Sequence, residues 1–295
     1  MARNIFKGLG VALVTPFTSD GSVDFKSLTC LVEHLIDNGA DFLCILATTG
    51  EAPCLSAYEK EEVKKHVIDI NRGRLPILMG CGGNNTKAIV DELKNSDWRG
   101  IDGVLSVCPY YNKPSQEGLY QHFKAIAEAS PLPVVLYNVP GRTGVNLKAD
   151  TTVRLANDCE NIIAIKEASG SLEQVDEIIK NKPARFDVIG GDDALTFSMV
   201  ASGAAGSISV IGNALPKEVS RMIRLEFNGE YEAARTIHHR FTELYSLLFI
   251  DGNPAGVKAL LHEMGFIENV LRLPLVPTRI TTLQKMTEIL KTLKI

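Results

Sequence analysis

Lys166 closes the run Ile162, Ile163, Ala164, Ile165, a stretch that reads as a strand buried on both faces. A lysine pressed against apolar walls loses hydration in its charged form, which favours the free amine and makes it a nucleophile of the Schiff-base kind. The alternative is a strand-end lysine that snorkels its ammonium to solvent. Its neighbours in type favour chemistry. Tyr137 ends the apolar run one strand earlier, where its phenol could reach the lysine's reacting carbon and serve as acid and base. Arg142 follows between Gly141 and Gly144, in a loop able to offer its planar fork to a carboxylate. Otherwise Arg142 is one half of a surface ion pair of little energetic weight.

Other runs end in comparable residues. Ala47, Thr48, Thr49, Gly50 and Glu51 place two hydroxyls and a series of backbone N–H groups at a glycine turn, enough to hold a small carboxylate. The same residues also suit a plain turn before a helix. Pro109 and Pro114 stiffen a loop that carries Tyr110 and Tyr111, which either cover apolar surface or relay protons. The glycines of Gly190, Gly191, Asp192, Asp193 and of Gly206, Ser207, Ile208 allow close backbone approach to a ligand, or simply tight turns. An amine, a phenol, a carboxylate cradle and an arginine suit a small 2-oxo acid that condenses through an enamine with a second, anionic partner. No metal and no organic cofactor is called for, because a protonated imine is its own electron sink.

Eight short apolar runs would position these groups: Gly10–Val14, Phe42–Leu46, Pro76–Met79, Gly103–Val107, Val134–Tyr137, Ile162–Ile165, Asp187–Ile189 and Gly206–Val210. A stretch of helical period follows each, so the pattern predicts an α/β fold with a parallel sheet, a (β/α)8 TIM barrel with its chemistry at the carboxyl ends of the strands. A doubly wound open sheet would need a glycine-rich phosphate turn after the first strand, and VALVTPFTSDG has none. Ser56 with Glu59 predicts a capping box, Ser171 with Gln174 a similar start, and Thr86 and Ser115 open two further helices. Pro216 suits a first helical position and Gly229 a stop. Beyond it only helical period remains, over Glu230–Ile250, Pro254–Met264 and Thr278–Leu293. The expectation is a catalytic barrel over residues 1–226 and a three-helix appendage over residues 227–295.

The composition, 45% hydrophobic and 22% charged with a net charge of -4, is that of an ordinary globular chain and gives no electrostatic case for nucleic acid or an acidic membrane. Neither a leader peptide nor a membrane span is read. Six scattered cysteines without a C-x-x-C pair read as reduced thiols of a cytoplasmic protein, and His238 with His239 lacks metal-ligand spacing.

ATTGE at 47–51, PYYNKP at 109–114, YNVPGRTG at 137–144, IKEASG at 165–170 and GGDD at 190–193 together resemble, in order and spacing, the dihydrodipicolinate synthase family of pyruvate-dependent class I aldolases. The resemblance runs over nearly the whole chain. It implies a lyase that condenses pyruvate with L-aspartate 4-semialdehyde on the path to diaminopimelate and lysine, working as a homotetramer, a dimer of tight dimers. It further implies that Lys166 forms the imine and that Tyr137 shuttles protons. Thr49 would link Tyr137 to Tyr111 of a neighbouring subunit. The amides of Thr48 and Thr49 would bind the pyruvate carboxylate, Arg142 the semialdehyde carboxylate, and Gly191 and Ile208 would line the pyruvate pocket.

The chain departs from the family pattern at Ala47, commonly glycine, where an ordinary backbone conformation is then expected. Ala57, Lys60 and Ala88 stand where relatives inhibited by lysine often carry polar groups or histidines, although Asn84 and Tyr110 match. Weak or absent inhibition by lysine is the expectation. The nearest alternatives are an N-acetylneuraminate lyase or keto-deoxy-sugar aldolase, which generally lacks the P-G-R-T loop, and a non-catalytic ligand-binding relative.

Overall fold

The computed structural model describes residues 5–293. Among them are eight strands: β1 (Gly8–Ala12), β2 (Phe42–Ile45), β3 (Ile77–Gly80), β4 (Gly103–Val107), β5 (Val134–Asn138), β6 (Ile162–Glu167), β7 (Asp187–Gly190) and β8 (Gly206–Ser209). They follow one another in sequence order around a closed barrel. Every strand pair with a resolved register is parallel. β1, β2, β5, β6 and β8 are buried along their whole length, which explains the apolar runs of the first four, since side chains on both faces must leave water; β8 buries Ser207 and Ser209 beside Ile208. The parallel barrel expected from the alternation of runs and helical stretches is therefore present, followed by a carboxyl-terminal helical extension.

β4 has its expected bounds, and the ends of the other strands differ from the expected ones by one or two residues. β1 stops at Ala12, and the Val14 amide donates to the Asn213 side chain at 3.1 Å. β6 runs on to Glu167, so Lys166 lies within a strand and not past its end. Helix starts follow their caps. The Ser56 and Glu59 capping box forms, Ser115 accepts from the Gly118 amide at 3.2 Å, and Pro216 is the first helical residue. Thr86 was expected to open its helix from outside; Asn85 is the cap instead, accepting from the Ala88 amide at 3.3 Å, while the Thr86 hydroxyl meets His122 Nδ1 at 2.8 Å. Asparagine caps as well as threonine does, and the free hydroxyl found a histidine.

The chain forms two compact units. One joins the residues up to Gly8 with Pro76–Ile208 and holds β3 to β7 and β8 as far as Ile208. Its core includes Phe123, Leu136, Leu155, Ile165, Phe186 and Val188. The other joins Leu9–Leu75 with the residues from Ser209 on. Here Gly10 is glycine for a visible reason: a Cβ there would fall 2.2 Å from the Phe42 ring across the β1–β2 pair. Beyond Phe227 the described residues form four helices, not three: Tyr231–Arg240, Thr242–Leu247, Ala255–Glu263 and Ile280–Leu293. The stretch expected as one helix breaks at buried Phe241, whose ψ of 6° leaves the helical range. One residue out of register leaves an apolar stripe looking continuous.

Candidate active site

β5 and β6 pair with Tyr137 directly opposite Lys166. Both side chains are withdrawn from solvent, at 6% and 4% exposure, and the Lys166 ammonium nitrogen stands 4.5 Å from the centre of the Tyr137 ring. Among the described residues Lys166 takes part in no ion pair. The next pair in register, Asn138 and Glu167, turns to the other side of the strands. There the buried Glu167 carboxylate accepts from Asn138 Nδ2 at 3.0 Å, Gln174 Nε2 at 3.0 Å and the Ser169 amide at 2.7 Å. Asn138 also donates to Asn146 at 2.8 Å and accepts from the Leu147 amide at 2.9 Å. Burial, and then the Glu167 charge, push the nearby Cys108 thiol up to about 12, which keeps it protonated and inert. Thus Glu167 is spent in locking β5 to β6 and leaves Lys166 without a counter-charge. Sequence reading missed this network. Its only signal was two polar residues at the ends of adjacent apolar runs.

β7 supplies the next wall. A Cβ on Gly191 would come 2.8 Å from Ala168 Cβ and 3.0 Å from Lys166 Cε, so only glycine leaves the lysine stem its space. Ile208 is buried on β8. Arg142 lies on the short helix Pro140–Thr143 and is exposed, with no ion pair among the described residues. Gly144 ends that turn at φ 73°, and the Lys113 stem lies across it, 2.9 Å from where a Cβ would sit. Tyr111 is 89% exposed and left-handed at φ 73°; its amide donates to Thr143 O at 3.4 Å, which ties the tyrosine loop to the arginine turn.

In the other unit, Ala47 to Gly50 form a turn bracketed by two left-handed residues, Leu46 and Glu51, each at φ 52°. Ala47 itself is not among the left-handed residues, as its methyl required. Gly50 closes the turn through its amide to Ala47 O at 3.1 Å, and its carbonyl accepts from the Thr15 hydroxyl at 2.7 Å. The Thr49 hydroxyl is buried and accepts from Asn253 Nδ2 at 3.0 Å. Glu51 plunges inward to Lys258: its Oε1 lies 2.5 Å from the ammonium, and both side chains are fully buried. Lys258 donates also to Val270 O at 2.9 Å, and Glu51 Oε2 accepts from the Arg272 amide at 3.1 Å. Arg272 reaches on to Glu59, Gly21 O and Cys54 O. It holds the Glu59 carboxyl down to about 2. Asn253, Lys258 and Arg272 were not singled out from sequence, and Glu51 only as the last residue of the glycine turn, because nothing in their spacing joins positions some 200 residues apart.

Residues 5–293 match the model of the Dihydrodipicolinate synthetase family. The chain belongs to that family. The 4-hydroxy-tetrahydrodipicolinate synthase of Phocaeicola vulgatus is 63% identical over 295 residues, spanning 100% of this chain and 99% of that one. Its counterpart in Parabacteroides distasonis is 60% identical over the same spans. Among solved structures, dihydrodipicolinate synthase from Aquifex aeolicus superposes with a TM-score of 0.94 at 41% identity, covering 98% of either chain. The family's barrel with its helical extension is thus the fold found here. Among the described residues no helix is long and apolar enough to cross a membrane.

Proposed function

We propose that the chain is a 4-hydroxy-tetrahydrodipicolinate synthase, a Schiff-base-forming lyase that condenses pyruvate with L-aspartate 4-semialdehyde. The observation that carries this reading is a buried lysine without a carboxylate, opposite a buried tyrosine in strand register. A lysine so placed has no carboxylate to tie it down and can, as the free amine, add to a ketone carbon. Lys166 adds to the pyruvate carbonyl, and loss of water leaves the imine. Tyr137 hands a proton to the departing oxygen, takes one back as the methyl carbon becomes an enamine, and gives it to the aldehyde oxygen when that carbon attacks.

Thr48 and Thr49 take the pyruvate carboxylate. Among the described residues neither amide donates a hydrogen bond, as an anion cradle requires. Thr49 connects Tyr137 with Tyr111 of a neighbouring subunit in a homotetramer, a dimer of dimers. Gly191 and Ile208 line the pyruvate pocket, and Arg142 receives the semialdehyde carboxylate. The exposure of Tyr111 in the single chain supports an intersubunit role, and the absence of an ion pair to the Arg142 side chain among the described residues supports an anionic substrate. The protein works in the cytoplasm, and lysine inhibits it weakly or not at all.

Reduction with borohydride in the presence of pyruvate tests the chemistry, with peptide mapping and a semialdehyde turnover assay on the same preparation. A pyruvate-derived adduct on Lys166 together with turnover is the expected result. No adduct, an adduct elsewhere, or better turnover with a sugar aldehyde would overturn the reading.

A further inference from the structure

The turn that carries Thr48 and Thr49 is held in two separate ways. Its backbone is pinned through Glu51, whose carboxylate is clamped by the Lys258 ammonium and the Arg272 amide. The Phe17 ring lies beneath both cations, 4.1 Å from Lys258 Nζ and 4.4 Å from the Arg272 guanidinium carbon. The Thr49 side chain is held by something else. Asn253 sits just before the helix Ala255–Glu263, is buried, and directs its amide nitrogen at the Thr49 hydroxyl. Among the described residues this is the side chain's one hydrogen bond; Oδ1 makes none. A buried amide that leaves its oxygen unsatisfied is costly in a site that serves packing alone. The clamp on Glu51 already fixes the turn, so Asn253 is not needed to hold the backbone.

We propose that Asn253 is a positioning residue for Thr49: by donating to the Thr49 oxygen it leaves the hydroxyl its own proton to donate, and so sets the direction in which Thr49 passes hydrogen bonds. A hydroxyl has one proton and two acceptor sites. With one acceptor site filled by an amide donor, the proton is free for an acceptor that gains negative charge during proton transfer. The inference rests on the function proposed above, in which Thr49 belongs to the proton relay. It adds a residue from the helical extension to that relay.

The experiment compares Asn253→Ala and Asn253→Asp with the parent protein, with kcat expressed per site that borohydride traps with pyruvate. Trapping and turnover in the parent judge the proposed function first; only when both are present do the variants judge Asn253. Asn253→Ala is expected to lower kcat about 10-fold and to change the KM for pyruvate less than about 3-fold, as loss of an interaction made in proton transfer should. Asn253→Asp keeps the shape but presents an ionised oxygen that can only accept, which turns the bond round. Near pH 8 its kcat should lie below that of Asn253→Ala. The ratio of the two should rise as the pH falls and the carboxyl regains a proton to donate. Should Asn253→Ala fail to fold, the pH dependence of Asn253→Asp against the parent carries the decision alone. Parental kcat per trapped site in either folded variant, or an Asn253→Asp protein whose kcat follows the parent at every pH, would overturn the assignment.

Discussion

Of the three lysines buried among the described residues, Lys64, Lys166 and Lys258, the last two have opposite company. Lys258, in the helix Ala255–Glu263, has the Glu51 carboxylate at 2.5 Å, the Val270 carbonyl at 2.9 Å and the Phe17 ring beneath it. Burial pulls its ammonium down to about 8, and Glu51 works against that fall. Lys166, on β6, has a phenol ring 4.5 Å away and no ion pair among the described residues. The carboxylate that neighbours it in sequence, Glu167, is turned to the opposite face and saturated by Asn138, Gln174 and Ser169. Burial alone does not distinguish a nucleophile from a strut. The counter-charge is what differs: Lys258 has one, which favours its cationic form, and Lys166 takes part in no ion pair among the described residues, which is why it is the one proposed as nucleophile.

The sharpest way to break that comparison is to remove each amine in turn. Lys166→Ala should abolish the borohydride adduct and lower turnover by at least about 10³-fold, since Lys166 is the proposed imine-forming amine. Its melting temperature should hold or rise, because no buried carboxylate is left unpaired. Tyr137→Phe should keep the adduct but lower kcat by about 10²-fold or more. A Lys166→Ala protein that melts far below the parent would mean that Lys166 is a strut after all.

Lys258→Met should do the reverse. It strands the Glu51 carboxylate in the interior, at a cost of about 3–5 kcal/mol, visible in urea unfolding. Adding Glu51→Gln to Lys258→Met should recover part of that loss, because two neutral groups replace one orphaned charge. A double variant no more stable than the single one would show that the pair is held by its other bonds and not by mutual attraction.

The difference between the two lysines also decides how much was legible in the sequence. That Lys166 and Tyr137 face each other was legible because each ends an apolar run, and adjacent strands of a barrel align their ends. Thr48, Thr49 and Arg142 are candidates because glycines flank them in short loops. The barrel was visible for the same reason, since strands buried on both faces write themselves as uninterrupted apolar runs. Lys258 offered no such mark. It sits in a helix amid Val257, Ala259, Leu260 and Leu261, and its partner lies about 200 residues away, so only folding joins them. Asn253, Arg272 and the Glu167 network were hidden in the same way: long-range polar contacts have no period. The break at Phe241 escaped because one residue does not disturb a 3.6-residue stripe.

Arginines repeat the contrast at the surface. Arg272 is fully engaged, with Glu59 and two carbonyls, whereas exposed Arg142 has no ion pair among the described residues. Arg142→Ala should therefore raise the KM for the semialdehyde by about 10- to 100-fold, the worth of a charged hydrogen bond, and leave the KM for pyruvate and the melting temperature nearly unchanged. Normal semialdehyde kinetics in that variant would remove its role in binding.

Glu226 supplies the smallest test, from the side of the carboxylate. It is buried in the helix Pro216–Phe227, and neither of its oxygens has a hydrogen-bond partner among the described residues. Unlike Glu51 it has no lysine to hold its charge, so burial pushes its carboxyl up from 4.5 to about 8. In the unfolded chain it ionises near its ordinary value, so the folded state binds the extra proton. Stability from this group is intact below about pH 4.5, declines as the pH rises, and is fully lost above about pH 8. Glu226→Gln should thus match the parent in acid and gain about 1–2 kcal/mol above pH 8, once local relaxation has softened the cost of burial. Urea unfolding at pH 4.5 and pH 8.5 reads the difference. An equal gain at both pH values would mean that the change acts through shape, whereas a gain confined to the higher pH isolates the missing counter-charge as its cause.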